Sequence, residues 1–321
     1  MRTKEQFLML FVFGSMMLAG LTACSSDDDT KSTKETEKAP VENEVKVRRL
    51  TITEVEGDAA EAKQALTRAT LAEDDGELAA SWKTGDGLTY CNLMRTKHVM
   101  TPKEDDIPIA GNLTATTAAA TSQFTGDVVC DAGDYLAVVY PATTFETNES
   151  YTISLAGQDG TLATLATNFH YVYGRAHVTS VTETTANATM EKMKSLLTVC
   201  KFSFVNKEGG AAIPIQTLTI SYGGTGSDAG TYPQTATVAI GANTEQADVH
   251  ATGAAGSSEA LTVTCSTAQD AVYVALLPTA AARTFSFSVS DGSGSTYTGT
   301  AKATLTEGEY VEATGLRLTK Q

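Results

Sequence analysis

The cleanest periodicity in the chain is Arg283-Thr284-Phe285-Ser286-Phe287-Ser288-Val289, where apolar and polar residues alternate with a period of two. That is the pattern of a half-buried β-strand. Asp291-Gly292-Ser293-Gly294 turns it into Thr296 to Leu305, and Glu307-Gly308-Glu309 turns again into Tyr310 to Leu318. Leu197 to Val205, with Phe202 and Phe204 on one face, Ile215 to Ile220, Thr235 to Ile240, Leu261 to Cys265 and Ala271 to Leu277 read as further strands. Pro278 ends the last of these. Between them, Tyr222 to Tyr232 is a Gly-rich loop. In the first half, Val45 to Val55 alternates around Leu50 and Ile52, and Tyr151 to Leu155 and Arg175 to Val181 are strand-like. Tyr135 to Tyr140 is almost continuously apolar, as in a strand covered on both faces, and Pro141 stops it. Thr161 to Tyr173 shows no clear period. Met190, Met193, Leu196 and Leu197 have helical spacing and predict a short helix opening the second half, after a polar boundary at Thr182 to Ala188. Short strands at regular spacing with Gly and Pro turns predict an all-β chain of β-sandwich type.

The N-terminus has a different pattern. Arg2 and Lys4 precede an apolar run from Phe7 to Leu21, too short to span a membrane comfortably. Leu21-Thr22-Ala23-Cys24 then has the form of a bacterial lipobox, in which cleavage falls before Cys24 and the cysteine carries acyl chains. The competing reading is an ordinary secretory signal with an incidental Cys24. Ser25-Ser26-Asp27-Asp28-Asp29 and the Thr/Ser/Lys/Glu-rich residues up to Pro40 have almost nothing to bury, so they read as a flexible tether. The acidic burst is either the start of that tether or a signal resembling the one that exports Bacteroidetes lipoproteins to the cell surface. The expected division is a signal peptide over 1–23, a tether over 24–44, and two domains over 45–187 and 188–321.

Composition narrows the function classes. The 321 residues carry a formal net charge of −15, without a Lys/Arg cluster of the kind that displaces counterions from nucleic acid. Besides Cys24, the cysteines at 91, 130, 200 and 265 are each alone in a strand-like segment. No C-x-x-C pair suggests zinc, and buried free thiols are favoured over disulfides. His98, His170, His177 and His250 are scattered, and no H-E-x-x-H occurs. Gly223-Gly224-Thr225-Gly226 lacks the lysine and helix of a phosphate loop. Glu104-Asp105-Asp106 and Asp74-Asp75-Gly76 lack the twelve-residue calcium pattern, and no G-x-S-x-G elbow is present. Neither an enzyme nor a cofactor is expected.

Several segments together resemble a family. Thr67-Arg68-Ala69-Thr70-Leu71, Trp82-Lys83-Thr84-Gly85-Asp86, Phe124-Thr125-Gly126 and Tyr135-Leu136-Ala137-Val138-Val139-Tyr140-Pro141 come in the order seen in fimbrillin-like proteins of Bacteroidales, the type V pilins. Val274-Ala275-Leu276-Leu277-Pro278, the Phe285/Phe287 strand and Leu305-Thr306-Glu307-Gly308-Glu309-Tyr310 resemble the second domain of that family. The resemblance implies two tandem β-sandwich domains of transthyretin-like, Greek-key type, on a lipid-anchored protein of the outer membrane surface. It implies a structural subunit of a fimbria, in stalk, tip or anchor position, acting in cell adhesion. Its partners would be neighbouring subunits, the outer membrane through Cys24, an Arg-specific protease and a host or bacterial surface ligand. By that resemblance Val45–Val55 is the removable first strand and Arg68 the cleavage residue, with Arg48 and Arg49 the weaker alternative because they lie within the strand. A neighbour's strand would refill the groove, and only Tyr310–Gln321 could serve as this chain's own donor. The alternative function is a surface lipoprotein that captures glycans for uptake. It would need exposed aromatics, whereas the only tryptophan, Trp82, sits in a turn motif suited to packing.

Overall fold

The computed structural model describes residues 46–56, 70–74, 77–94, 110–119, 121–145, 150–191, 193–240, 251–253 and 259–321. All of them fall in one compact unit. The first half runs β1 (Val47–Glu56), β2 (Thr70–Asp74), β3 (Glu77–Ser81), β4 (Gly87–Asn92), β5 (Ala110–Ala115), β6 (Thr121–Val129), β7 (Tyr135–Tyr140) and β8 (Ser150–Ser154). A helical passage, α1 (Leu162–Thr164) continued by a π-turn over Leu165–Phe169, leads to β9 (Val172–Val181), β10 (Thr185–Met190) and β11 (Lys194–Ser195). The second half holds β12 (Thr198–Asn206), β13 (Ala212–Ile213), β14 (Ile215–Tyr222), β15 (Thr235–Ala239), β16 (Ala251–Gly253) and β17 (Leu261–Gln269). It ends with β18 (Val272–Leu276), β19 (Arg283–Ser290), β20 (Thr296–Ala303) and β21 (Tyr310–Lys320). The protein is all-β, with two sheet bodies.

In the first body seven strands close into a ring: β1-β6-β5-β4-β7-β9-β10 and back to β1. Closure leaves no free edge in the ring. Alternation along each strand points one set of side chains inward. Leu50, Ile52, Leu88, Leu113, Phe124, Leu136, Val138 and Val178 meet there around Trp82. Several strands are apolar on their outer face as well. Cys91, Ala137, Val139 and Tyr173 point out of the ring and join a second, larger core with the other body, which explains the unbroken apolar run of β7.

The second body repeats this plan. Numbered within each body in chain order, the seven strands of both lie as 1-4-3-2-5-6-7. In the first body these are β1, β4, β5, β6, β7, β9 and β10, and in the second β12, β14, β17, β18, β19, β20 and β21. In both, the first and seventh strands are parallel neighbours, β1 with β10 and β12 with β21, and the other joined neighbours are antiparallel. This is one Greek-key pattern used twice. The second copy is less complete. Among the described residues no ladder joins β17 to β18, and β20 meets β21 only at Tyr297 and Thr298.

The open seam between β17 and β18 is filled from the first half of the chain. Thr264 N–H of β17 donates to the Gln158 carbonyl (3.2 Å), and Tyr273 N–H of β18 donates to the Gly160 carbonyl (2.9 Å). The Gln158 side chain, 3% exposed, takes the place of a strand partner. Its Nε2 donates to the Ala275 carbonyl (3.0 Å) and its Oε1 accepts from Ala275 N–H (2.7 Å). Nearby, β8 pairs antiparallel with β15, so a strand of the first half and a strand of the second share a three-stranded sheet.

Two sequence expectations change. Met190, Met193, Leu196 and Leu197 do not form a helix. Met190 ends β10, and Lys194–Ser195 pair with Tyr173 and Val172 of β9. The residues serve two cores rather than one helix face: Met193 is buried in the first body and Leu196 and Leu197 in the larger core. Tertiary pairing here overrides a weak local preference. The ambiguous stretch Thr161–Tyr173 holds the only helical turns among the described residues. The expected division at 187/188 falls inside β10, and the strands of the first sheet continue to Ser195. The cysteines at 91, 130, 200 and 265 are buried thiols outside any disulfide.

Candidate functional site

The strand that the sequence singles out, Val45–Val55, corresponds to β1, described over Val47–Glu56. It is hydrogen-bonded on both edges. Arg49 to Thr53 pair in parallel with Thr185 to Thr189 of β10, and Val47 to Ile52 pair antiparallel with Val129 to Phe124 of β6. A bulge separates Ile52 from Val55, after which Val55 and Glu56 pair with Ser122 and Thr121. Inward-facing Leu50 and Ile52 are 0% exposed, whereas Val47 is 49% exposed. Among its described side chains, β1 therefore gives the ring Leu50, Ile52 and one cation.

That cation is Arg48, buried at the start of the strand. Its Nε donates to the Thr182 carbonyl (2.8 Å), and its Nη1 donates to the Cys130 carbonyl and to Asp131 Oδ1 (3.1 Å). A guanidinium has enough donors to satisfy three acceptors from two loops at once, which a lysine does not match geometrically. Arg49 points outward, pairs with Asp127 at 3.2 Å and donates to Thr125 Oγ1 at 3.1 Å. A protease binds its substrate as an extended, unpaired backbone. Arg48 and Arg49 sit in a strand with both edges occupied, which disfavours them as cleavage residues in the folded protein. Arg68 and Cys24 lie outside the described residues.

The other motifs take structural places. Trp82 is 2% exposed, edge-on to Phe124 (4.8 Å between centroids) and Tyr140 (5.5 Å), so it cannot serve as a platform for sugars. Asp86 Oδ2 accepts from Lys83 N–H at 2.5 Å, and Gly85 takes φ 92°, which builds the turn into β4. Gly126 of β6 lies opposite Leu50; a side chain there would run into the Asn112 carbonyl at 2.4 Å. His177 stacks on Tyr135 at 4.7 Å and His170 is buried, while His98 and His250 lie outside the described residues. Glu104–Asp106 also lies outside them. Among the described residues no group of three His, Cys, Asp or Glu could hold a metal ion.

A second constellation was not visible in the sequence. Glu73, on the β2–β3 hairpin, rests on the outer face of the second body's β18-β12-β21 layer. Its Oε1 accepts from Lys201 Nζ (2.5 Å) and from Tyr310 Oη (3.0 Å). Its Oε2 accepts from Lys201 Nζ (2.8 Å) and from Tyr273 Oη. Tyr273, Lys201 and Glu312 stand side by side across β18, β12 and β21, and Lys201 Nζ is 3.5 Å from Glu312 Oε1. The Lys201 ammonium, and then the Tyr273 hydroxyl, hold the Glu73 carboxyl down at about 2. Lys201 is raised in return, chiefly by its bond to Glu73. Nothing in Glu73-Asp74-Asp75-Gly76 distinguishes the first acid from the next two. The one available signal was a lysine at 201 alternating with buried Cys200 and Phe202, hence facing outward on its strand.

No protein-family model matches this chain, and no curated protein sequence matches it. Solved structures do. A candidate cell adhesion protein of Bacteroides uniformis is 14% identical, covers 75% of this chain and 91% of its own, and superposes with a TM-score of 0.46. A candidate cell adhesion protein of Bacteroides ovatus is 13% identical over 86% of this chain and 95% of its own, with a TM-score of 0.46. A streptococcal ancillary pilin is 11% identical over 85% of this chain and 69% of its own, with a TM-score of 0.29.

Proposed function

We propose that the chain is a structural subunit of a surface fimbria, assembled by strand exchange and acting in cell adhesion without catalysis. Cys24 is its lipid attachment point at the outer membrane surface. Cleavage after Arg68 by an Arg-specific protease frees β1, and a strand of the next subunit takes its place between β6 and β10. The observation that carries this reading is the position of β1: it comes first among the described strands, and it closes the ring between antiparallel β6 and parallel β10. Its departure would unpair the facing edges of both neighbours and open the places of Leu50 and Ile52. Burying two such side chains contributes about 3–6 kcal/mol. An added strand restores that burial together with the main-chain hydrogen bonds, which is β-augmentation.

The candidate donor is β21, the C-terminal strand. It is paired with β12 along its length but with β20 at only two positions, and Leu318 is its one buried side chain. Trp82, buried in the ring, is not available as an aromatic platform for the glycan-capture alternative.

The test is limited digestion of the folded, delipidated protein with an Arg-specific protease, read by mass spectrometry and sizing. The expected result is cleavage after Arg68, loss of the β1 fragment and a shift to oligomers. Resistance at Arg68, or cleavage that leaves a monomer of unchanged stability, would overturn the proposal.

A further inference from the structure

The candidate donor β21 is weakly held at its front, and one carboxylate from another element sits on that front. β21 has two parts. Near its C-terminus Leu318 is buried, and Lys320 and Thr319 pair with Tyr297 and Thr298 of β20. Its front, Tyr310 to Ala313, has no ladder to β20, and its apolar residues Val311 and Ala313 are only partly buried. Between the parts the register with β12 shifts at Gly315, which takes φ 67°. The front is thus held by one ladder, to β12.

Glu73 grips that front. It accepts from Tyr310 directly, and it fixes Lys201, which faces Glu312. The same carboxylate ties in β18 through Tyr273. All three strands of the layer are thereby pinned by one residue of another element. That element, the β2–β3 hairpin, pairs with no other strand among the described residues and is seated by Leu71 and Leu78 in the larger core. Among the described strands it is the next after β1, and Arg68 lies in the sequence between them.

We propose that Glu73 is a lock on the front of β21, carried by the hairpin that succeeds the removable strand, so that the hairpin's seating governs when β21 can leave its own body. The lock rests on the strand-exchange reading for its purpose. Its physical action, restraint of β21 by a carboxylate bridging β12, β18 and β21, stands on the geometry alone. An ion pair that is partly withdrawn from water and shared with two hydroxyls is firmer than an exposed pair, because its partners are fixed by three strands rather than by two flexible side chains.

The experiment is hydrogen exchange by mass spectrometry on the full chain at neutral pH. It compares wild type with Glu73→Gln, which keeps the shape and removes the charge, with Lys201→Met, and with the milder Tyr310→Phe. The expected result for Glu73→Gln and Lys201→Met is exchange at least tenfold faster over residues 311–314, with β14 and β19 unchanged. Tyr310→Phe should give a smaller increase at the same place. Unchanged protection of β21, faster exchange confined to the hairpin, or a uniform loss across the second body would each overturn the lock. Exchange is read without protease or partner. Failure to oligomerise after cleavage would therefore overturn the assembly reading and leave the lock standing, and a null exchange result would do the reverse.

Discussion

Gly160 is where the packing between the two halves of the chain can be measured. Its φ is +80°, and a Cβ placed on it would lie 2.8 Å from Val272 Cγ1, 2.9 Å from Val272 Cβ and 3.3 Å from Cys265 Sγ. Val272 is a β-branched residue with little rotamer freedom, 0% exposed, at the start of β18. The Gly160 carbonyl meanwhile accepts from Tyr273 N–H, so the loop cannot back away without breaking that bond. Gly157, in the same loop, is the control: its φ is +90°, and nothing lies within 4 Å of its would-be Cβ. Gly157→Ala introduces backbone strain of about 1–2 kcal/mol, offset by about 0.4–1 kcal/mol from a less flexible unfolded chain. Its net cost is about 1 kcal/mol. Gly160→Ala adds the overpacking of a rigid neighbour, about 1–3 kcal/mol, for a total of about 2–4 kcal/mol. Urea denaturation of both variants, with linear extrapolation, measures the difference directly. Equal costs within about 0.5 kcal/mol would refute the claim that this loop is wedged into the seam between β17 and β18.

Three further outcomes follow from the same geometry. Leu50→Ala and Ile52→Ala should each cost about 2–5 kcal/mol in denaturant unfolding, and Val47→Ala less than about 0.5 kcal/mol, because only the first two face the ring. Glu73 has its carboxyl lowered from 4.5 to about 2, so its contribution is complete above pH 4.5 and is lost as pH falls through 2. The stability gap between wild type and Glu73→Gln should accordingly be constant from pH 8 to 5 and close on further acidification; a gap that widens in acid would contradict the assignment. Burial pushes the Cys91 and Cys200 thiols up to about 12, so native protein at pH 8 should leave both unlabelled by a thiol reagent until denaturant is added.

Much of the fold could be read from residue pattern alone. Alternation located the Phe285/Phe287 strand and β1, because a sheet with one covered face writes a period of two into the chain. Pro141 and Pro278 ended strands where expected. What escaped the reading was non-local. The repeated 1-4-3-2-5-6-7 order depends on which strands pair across scores of residues, and no single segment records it. Met190 to Leu197 misled for a related reason: its apolar residues are divided between two cores, and the division imitates helical spacing. Gln158 and Glu73 are unremarkable polar residues in loop-like or acidic sequence until tertiary contact gives each its partners. Arg48 was legible as part of a strand but not as its buried anchor, since charge in a strand normally signals the solvent face.

The most direct test of strand exchange is complementation of the ring by a peptide. Protein cleaved after Arg68 and freed of β1 is mixed with a synthetic peptide of residues 47–56, and its size is followed against a peptide with Leu50 and Ile52 replaced by serine. If β1's place is the assembly site, the native peptide binds and holds the protein monomeric, while the substituted peptide leaves it to oligomerise. Oligomers that form equally with either peptide, or a cleaved protein that binds neither, would contradict it.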